Sequence, residues 1–152
     1  MTVAAVAAGE RLAACYREIG RLRMRGLPIC NAALAVEAVG FCAWDGEAFG
    51  VLVTPWCMNL VLLDLPEAPP RAALTVGIRR DCDFPAGTIT FTVAEVEAFG
   101  RVDAASLFSP MQVFGDQEGA RAAAGAALKA VLAPPNVRSG RRGLLFGRGA
   151  AA

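Results

Sequence analysis

Residues 50–63, GVLVTPWCMNLVLL, constrain the fold more than any other stretch of the chain. Two short apolar runs meet at Thr54-Pro55-Trp56, where the Pro withdraws a backbone donor. Runs of this length, rich in Val and Leu and bounded by a turn signal, read as strands. A link this short makes them antiparallel, because a parallel partner needs a crossover. The corner carries more than a core turn needs. Beside Val and Leu it has an indole, a thioether at Met58 and an amide at Asn59, so it reads as core with something added.

The chain upstream supports the same sheet. Residues 2–25 predict an amphipathic helix, with Leu12, Cys15, Tyr16, Ile19 and Leu22 on one stripe and a solvated arginine face, ended by Gly26 and Pro28. Residues 34–44 read as a strand, with Leu34, Val36 and Ala38 on one side and Glu37, Val39 and Phe41 on the other. Asp45-Gly46 supplies positive-φ hairpin chemistry, returning the chain into 49–53, and 58–63 follows as the next strand.

Downstream, the Pro-rich residues 64–73 form a loop. A weak strand is expected at 74–78, followed by charged Arg79-Arg80-Asp81 and a turn at Pro85-Ala86-Gly87. Residues 88–93, TITFTV, alternate cleanly, so Ile89, Phe91 and Val93 face a core and three Thr face water. Residues 100–108 make a last strand, stopped at Ser109-Pro110. Asp116 can cap a helix over 117–132 whose Ala120, Ala123, Ala124, Ala127, Leu128 and Val131 form a smooth face, and Pro134-Pro135 ends it.

These elements predict an α+β fold: one domain over residues 1–137, with about five or six mainly antiparallel strands, an N-terminal and a C-terminal helix, and a Gly/Arg-rich tail over 138–152. A chain of 152 residues buries roughly 70% of its unfolded surface and needs no staple. The helices are expected on one face, leaving the other partly open to a partner.

Charge and chemistry narrow the function. Net charge is +1, but residues 1–25 carry +3, residues 138–148 carry +4 and the middle carries −6. The body is acidic and the ends basic, which argues against a nucleic-acid binder. There is no His, which removes the commonest general base and metal ligand. The five Cys at 15, 30, 42, 57 and 82 include no CxxC, so neither a metal site nor a cofactor is expected. No apolar run is long enough for stable membrane insertion. The lack of a signal-peptide pattern and the odd thiol count point to the cytoplasm.

Five blocks in order, VEAVGF at 36–41, VTPWCMN at 53–59, FPAGTITFTV at 84–93, SLFSPM at 106–111 and GRRGLLFGR at 140–148, resemble the HybE/HupJ family of [NiFe]-hydrogenase assembly chaperones. The resemblance runs from about Tyr16 to Arg148. It implies a cytoplasmic accessory protein in hydrogenase maturation that binds the small-subunit precursor, or its twin-arginine signal peptide, before export; the large subunit is a second candidate client. Some relatives are tied to rubredoxin-like proteins, whose paired CxxC ligands these residues lack. Ala105 stands where the family often carries a Cys, and Cys42 and Cys57 stand where other residue types are usual.

A signal-peptide chaperone needs an apolar groove flanked by acid. The candidate partner-binding residues are Thr54, Pro55, Trp56, Met58, Phe108, Ser109, Pro110 and Met111, since Met repacks around varied partners and Trp offers large rigid area. Trp56, Met58, Phe108 and Met111 read equally as ordinary core. In the tail, paired Arg141-Arg142 followed by Leu144, Leu145 and Phe146 loosely imitates a twin-arginine signal, and could occupy the groove when no client is present.

Two other functions are open. A thiol-dependent factor could deliver or protect a metal-cluster intermediate through Cys30, Cys42 or Cys57. A hydrolase would rest on Ser106 or Ser109, but neither lies in a GxSxG elbow and no His can serve as base, so an enzyme is not expected.

Overall fold

The structure is a computed structural model that describes residues 2–69 and 71–135. The expected tail, 138–152, with Arg141, Arg142, Leu144, Leu145 and Phe146, lies outside the described residues. Six strands form one antiparallel sheet: β1 (Glu37–Trp44), β2 (Glu47–Val53), β3 (Met58–Asp64), β4 (Arg79–Phe84), β5 (Gly87–Val96) and β6 (Gly100–Phe108). Their order is β1-β2-β3-β6-β5-β4, so two three-stranded meanders are joined along β3 and β6. Helix α1 (Thr2–Ile19) opens the chain and α2 (Gln117–Leu132) follows the sheet. This is the expected single α+β domain.

The two helices lie on opposite faces, not on one. Leu12 of α1 packs with Phe41, Leu52, Val61 and Val102, whereas Leu128 of α2 packs with Phe49, Val51, Leu60 and Phe91 on the other side. The reason lies in β2 and β3, which are apolar on both faces rather than alternating, so each face needs a cover. Every residue of β2 is buried. Only the second meander shows one wet face: Thr88 and Thr90 donate to Asp83 and Asp81, each at 2.7 Å, while Ile89, Phe91 and Val93 are buried.

β1 departs from simple alternation at a bulge. Gly40 takes φ +65° and the pairing with β2 shifts between Val39 and Cys42, which moves Phe41 onto the same side as Val36 and Ala38. The Phe41 ring then fits between two glycines, one in α1 and one in β2. A Cβ at either Gly9 or Gly50 would fall 2.5 Å from it.

Helix α1 buries Ala5, Ala8, Gly9, Leu12 and Ala13, a small-residue face that lets it lie close to the sheet. Leu22, expected on its apolar stripe, is 62% exposed. The helix widens to a π-helical segment over Gly20–Met24, and the extra residue per turn rotates Leu22 out to solvent.

The strand expected at 74–78 is a loop, and the charged stretch taken as its sequel is β4. Arg80 explains the misreading, because its guanidinium is engaged in a charge network on the α2 side of the sheet. Buried Asp103 accepts from Arg101 at 2.8 Å, Arg80 at 2.9 Å and Arg71 at 3.2 Å. Glu47 accepts from Arg71 at 2.6 Å and Arg80 at 2.8 Å, and Asp64 accepts from Arg71 at 2.5 Å. Arg71 belongs to the long connection from β3 to β4, so the network fastens that crossing to both meanders.

Candidate functional site

The corner between β2 and β3 is built by Thr54. Its buried hydroxyl accepts from the backbone N–H of Trp56 at 3.1 Å and Cys57 at 2.9 Å, and lies 3.0 Å from the Cys57 carbonyl, to which it donates. The Thr54 N–H donates to the same carbonyl at 2.8 Å. A hydroxyl that satisfies its own turn holds the following residues in one conformation. Trp56 is thereby presented at the surface, partly buried, its ring stacked on Tyr16 at 6.2 Å and lying over Gly20.

Asn31 joins this corner to its surroundings. Its N–H donates to the Pro55 carbonyl at 2.8 Å, and its side-chain amide donates to the carbonyls of Met111 at 3.0 Å and Phe114 at 2.8 Å. The Asn31 Oδ1 accepts from the Ala33 N–H at 2.9 Å. Gln112 adds a donor to the Ile29 carbonyl at 3.1 Å. Three separate loops are thus held against one another by the backbone N–H of Asn31 and the side-chain amides of Asn31 and Gln112, a link that no sequence period announces.

Beside Trp56 lies a cleft of about 770 Å³, walled by the π-helical segment, the loop after it and the Thr54–Cys57 corner. Met24, Leu27, Leu34 and Trp56 give it an apolar lining. Its charged rim is Arg17, Arg21 and Arg25, and among the described residues no carboxylate lines it. The flanking charge is therefore opposite to the acid expected from the sequence; acidic residues of the body lie elsewhere, among them Glu47, Asp64 and Asp103 in the Arg71 network and Asp81 and Asp83 opposite Thr90 and Thr88. The arginines recur every four residues, one in α1, one in the π-helical segment and one at its C-terminal cap. That spacing was legible, but it reads first as a solvated face.

The expected partner-binding residues divide. Trp56 and Pro55 line the cleft and Thr54 supports them. Met58 and Met111 are fully buried and belong to the α2-side core. Phe108 is 37% exposed and meets Phe114 edge-on at 5.0 Å, with exposed Ser109 and Pro110 beside it. This second patch lies on the segment that Asn31 ties to the cleft. Met24, Leu27, Asn31 and the three arginines are site residues that sequence reasoning did not single out.

The cysteines sit apart and are all partly buried. Among the described residues, no three Cys, Asp or Glu side chains are grouped so as to hold a metal ion. Burial pushes the thiols of Cys42, Cys57 and Cys82 above their ordinary range, with the Thr54 hydrogen bond only partly opposing this at Cys57. Raised thiols stay protonated near neutrality, which makes them poor nucleophiles and poor ligands. No helix among the described residues is long and apolar enough to cross a membrane.

A family model described as "[NiFe]-hydrogenase assembly, chaperone, HybE" matches residues 7–147. The hydrogenase expression/formation protein HupJ of Bradyrhizobium diazoefficiens is 52% identical over 130 residues, covering 86% of this chain and 75% of that one. The hydrogenase expression/formation protein HupT of Azotobacter chroococcum is 46% identical over 144 residues, covering 91% and 93%. The solution structure of HybE from Escherichia coli shares the fold with a TM-score of 0.65 at 25% identity, over 84% of this chain and 78% of that one.

Proposed function

The chain belongs to the HybE family of [NiFe]-hydrogenase assembly chaperones, and on that premise we propose that it is a non-enzymatic, cytoplasmic factor that binds the small-subunit precursor, with its twin-arginine signal peptide, before export. The observation that carries this reading is the cleft beside Trp56, apolar, about 770 Å³ and open at the surface. A large rigid indole at the mouth of an apolar concavity is the kind of anchor that dominates protein recognition. The Met24 and Leu27 walls adapt to an apolar segment whatever its exact sequence.

The Arg17, Arg21 and Arg25 rim sets the register of such a segment. Like charges repel, so the paired arginines of a twin-arginine signal lie outside the cleft while the apolar stretch enters it. Catalysis is not part of the proposal: Ser106 and Ser109 have no His anywhere in the chain to act as base. The partly buried, raised thiols give no support to a thiol-delivery role.

The test is co-purification of small-subunit precursor, with and without its signal peptide, by wild-type chain and by Trp56→Ala. Recovery is expected to need both the signal peptide and Trp56. Equal recovery of the two precursor forms refutes signal-peptide recognition. A folded Trp56→Ala that recovers precursor normally removes the cleft from the site.

A further inference from the structure

We infer that the Trp56 cleft selects its occupant by charge, taking an apolar peptide segment with carboxylate side chains at the flank that meets the arginine rim. The inference rests on the reading of this cleft as client surface and adds the chemistry of the end of the segment that meets the rim, the paired arginines of such a segment lying at its other end, outside the cleft. Of the charged residues that line the cleft, all three are arginines: Arg17, Arg21 and Arg25. All are exposed on the four-residue stripe. Among the described residues, Arg17 and Arg25 are in no ion pair. Arg17 spends one donor on the Val36 carbonyl at 3.3 Å, and Arg21 is paired only with exposed Glu18, an i,i+3 neighbour that an incoming carboxylate can displace.

The backbone that carries this rim supports a binding role. The Gly20–Met24 segment is π-helical, a costly geometry that recurs at functional sites, and it supplies Gly20, Arg21 and Met24 to the wall. Gly20 is small where the Trp56 ring lies against it, since a Cβ there would fall 3.3 Å from the ring. An apolar wall next to Arg17 and Arg25, two guanidiniums outside any ion pair among the described residues, suits a segment whose hydrophobic side chains stop at an acidic flank. Arginine also binds carboxylates through paired N–H donors, which adds orientation to attraction.

The experiment uses the full chain with Trp44→Phe, so that Trp56 is the fluorophore that reports. The probes are a short Leu/Ala peptide flanked by a pair of Glu and its counterparts flanked by Arg and by Gln. The Glu-flanked peptide is expected to shift Trp56 emission at about tenfold lower concentration than the Arg-flanked one at low ionic strength, with the ratio shrinking as salt is added. Reversal at both exposed positions, Arg21→Glu with Arg25→Glu, is expected to invert the order. If all three peptides bind alike, or the double reversal leaves the order unchanged, charge selection is overturned while the apolar cleft stands. Silence of Trp56 to every peptide overturns both. Neither outcome involves a hydrogenase subunit, so the family's role is not at stake in it.

Discussion

At the scale of single residues, the corner that dominates the sequence is held by the least conspicuous member of its motif. Pro55 and Trp56 draw attention in VTPW, yet Thr54 is the fully buried polar residue, and its hydroxyl serves two backbone donors and one carbonyl. Thr54→Val keeps the shape and removes the hydroxyl, leaving the N–H groups of Trp56 and Cys57 without their acceptor. A buried donor left unmatched costs about 1–3 kcal/mol. Urea unfolding of Thr54→Val is expected to show a loss in that range, with the Trp56 emission changed in the native state. A variant as stable as wild type with unchanged emission means the turn holds without the hydroxyl. Trp56 read as core and as surface alike, since an indole beside Pro at a strand end suits either, and the structure leaves it partly buried at the edge of the cleft. For Met58 and Met111 the core and surface readings stood side by side, because a Met reads the same in a buried layer and on an adaptable surface, and the structure buries both. Asn31 was silent, since Pro55, Met111 and Phe114, whose carbonyls it bonds, belong to segments that come together only in the fold.

At the scale of elements, hydrophobic pattern located five of the six strands and both helices, and failed where charge carries the packing. β4, RRDCDF, has no apolar alternation because Arg80 occupies an inward position with ionic partners. The loop at 74–78 attracted the strand assignment with Leu74, Val76 and Ile78, all of which are exposed. The network under β4 also ranks its members. Asp103 has no exposed side-chain surface and meets three guanidiniums, so Asp103→Asn leaves buried positive charge uncompensated, a change that typically costs about 3–5 kcal/mol. Arg71→Met should cost less, for two reasons. Glu47 and Asp103 keep Arg80, and Asp103 also keeps Arg101. Arg71 Nη2 is itself buried without a hydrogen-bond partner among the described residues, so removing it recovers part of the loss. Denaturant midpoints of the two variants give the order directly, and an Arg71→Met variant less stable than Asp103→Asn contradicts this ranking.

Across the whole molecule, α2 and the two meanders are joined by ion pairs as well as by core, and this gives stability a pH dependence of known sign. Glu37 at the start of β1 accepts from Arg121 at 2.7 Å and Gln117 at 2.8 Å, which fastens α2 to the edge of the first meander. Its carboxyl is held below the ordinary value, first by the Arg121 hydrogen bond, against a partial opposing effect of burial. Burial pushes the Asp103 carboxyl up, but the Arg101 hydrogen bond and the charges of Arg71, Arg101 and Arg80 outweigh it and hold that group below the usual aspartate value. A carboxylate with a lowered folded-state pKa contributes stability that is complete above its unfolded value and is lost as pH falls through the folded one. The window therefore opens at ordinary carboxylate values of 4.5 for Glu37 and 3.8 for Asp103, and extends below them. No His contributes a slope between that window and neutrality, since the chain has none. Unfolding free energy measured by urea from pH 7 downward is expected to stay nearly level and then fall steeply below about pH 4.5. Asp103→Asn, less stable at neutrality, should show a shallower fall in the lower part of that window, because one proton-linked group has been removed. A parallel fall in both proteins would mean that Asp103 titrates alike in the folded and unfolded chain, and that its arginines position the β3–β4 crossing without holding the carboxylate charged.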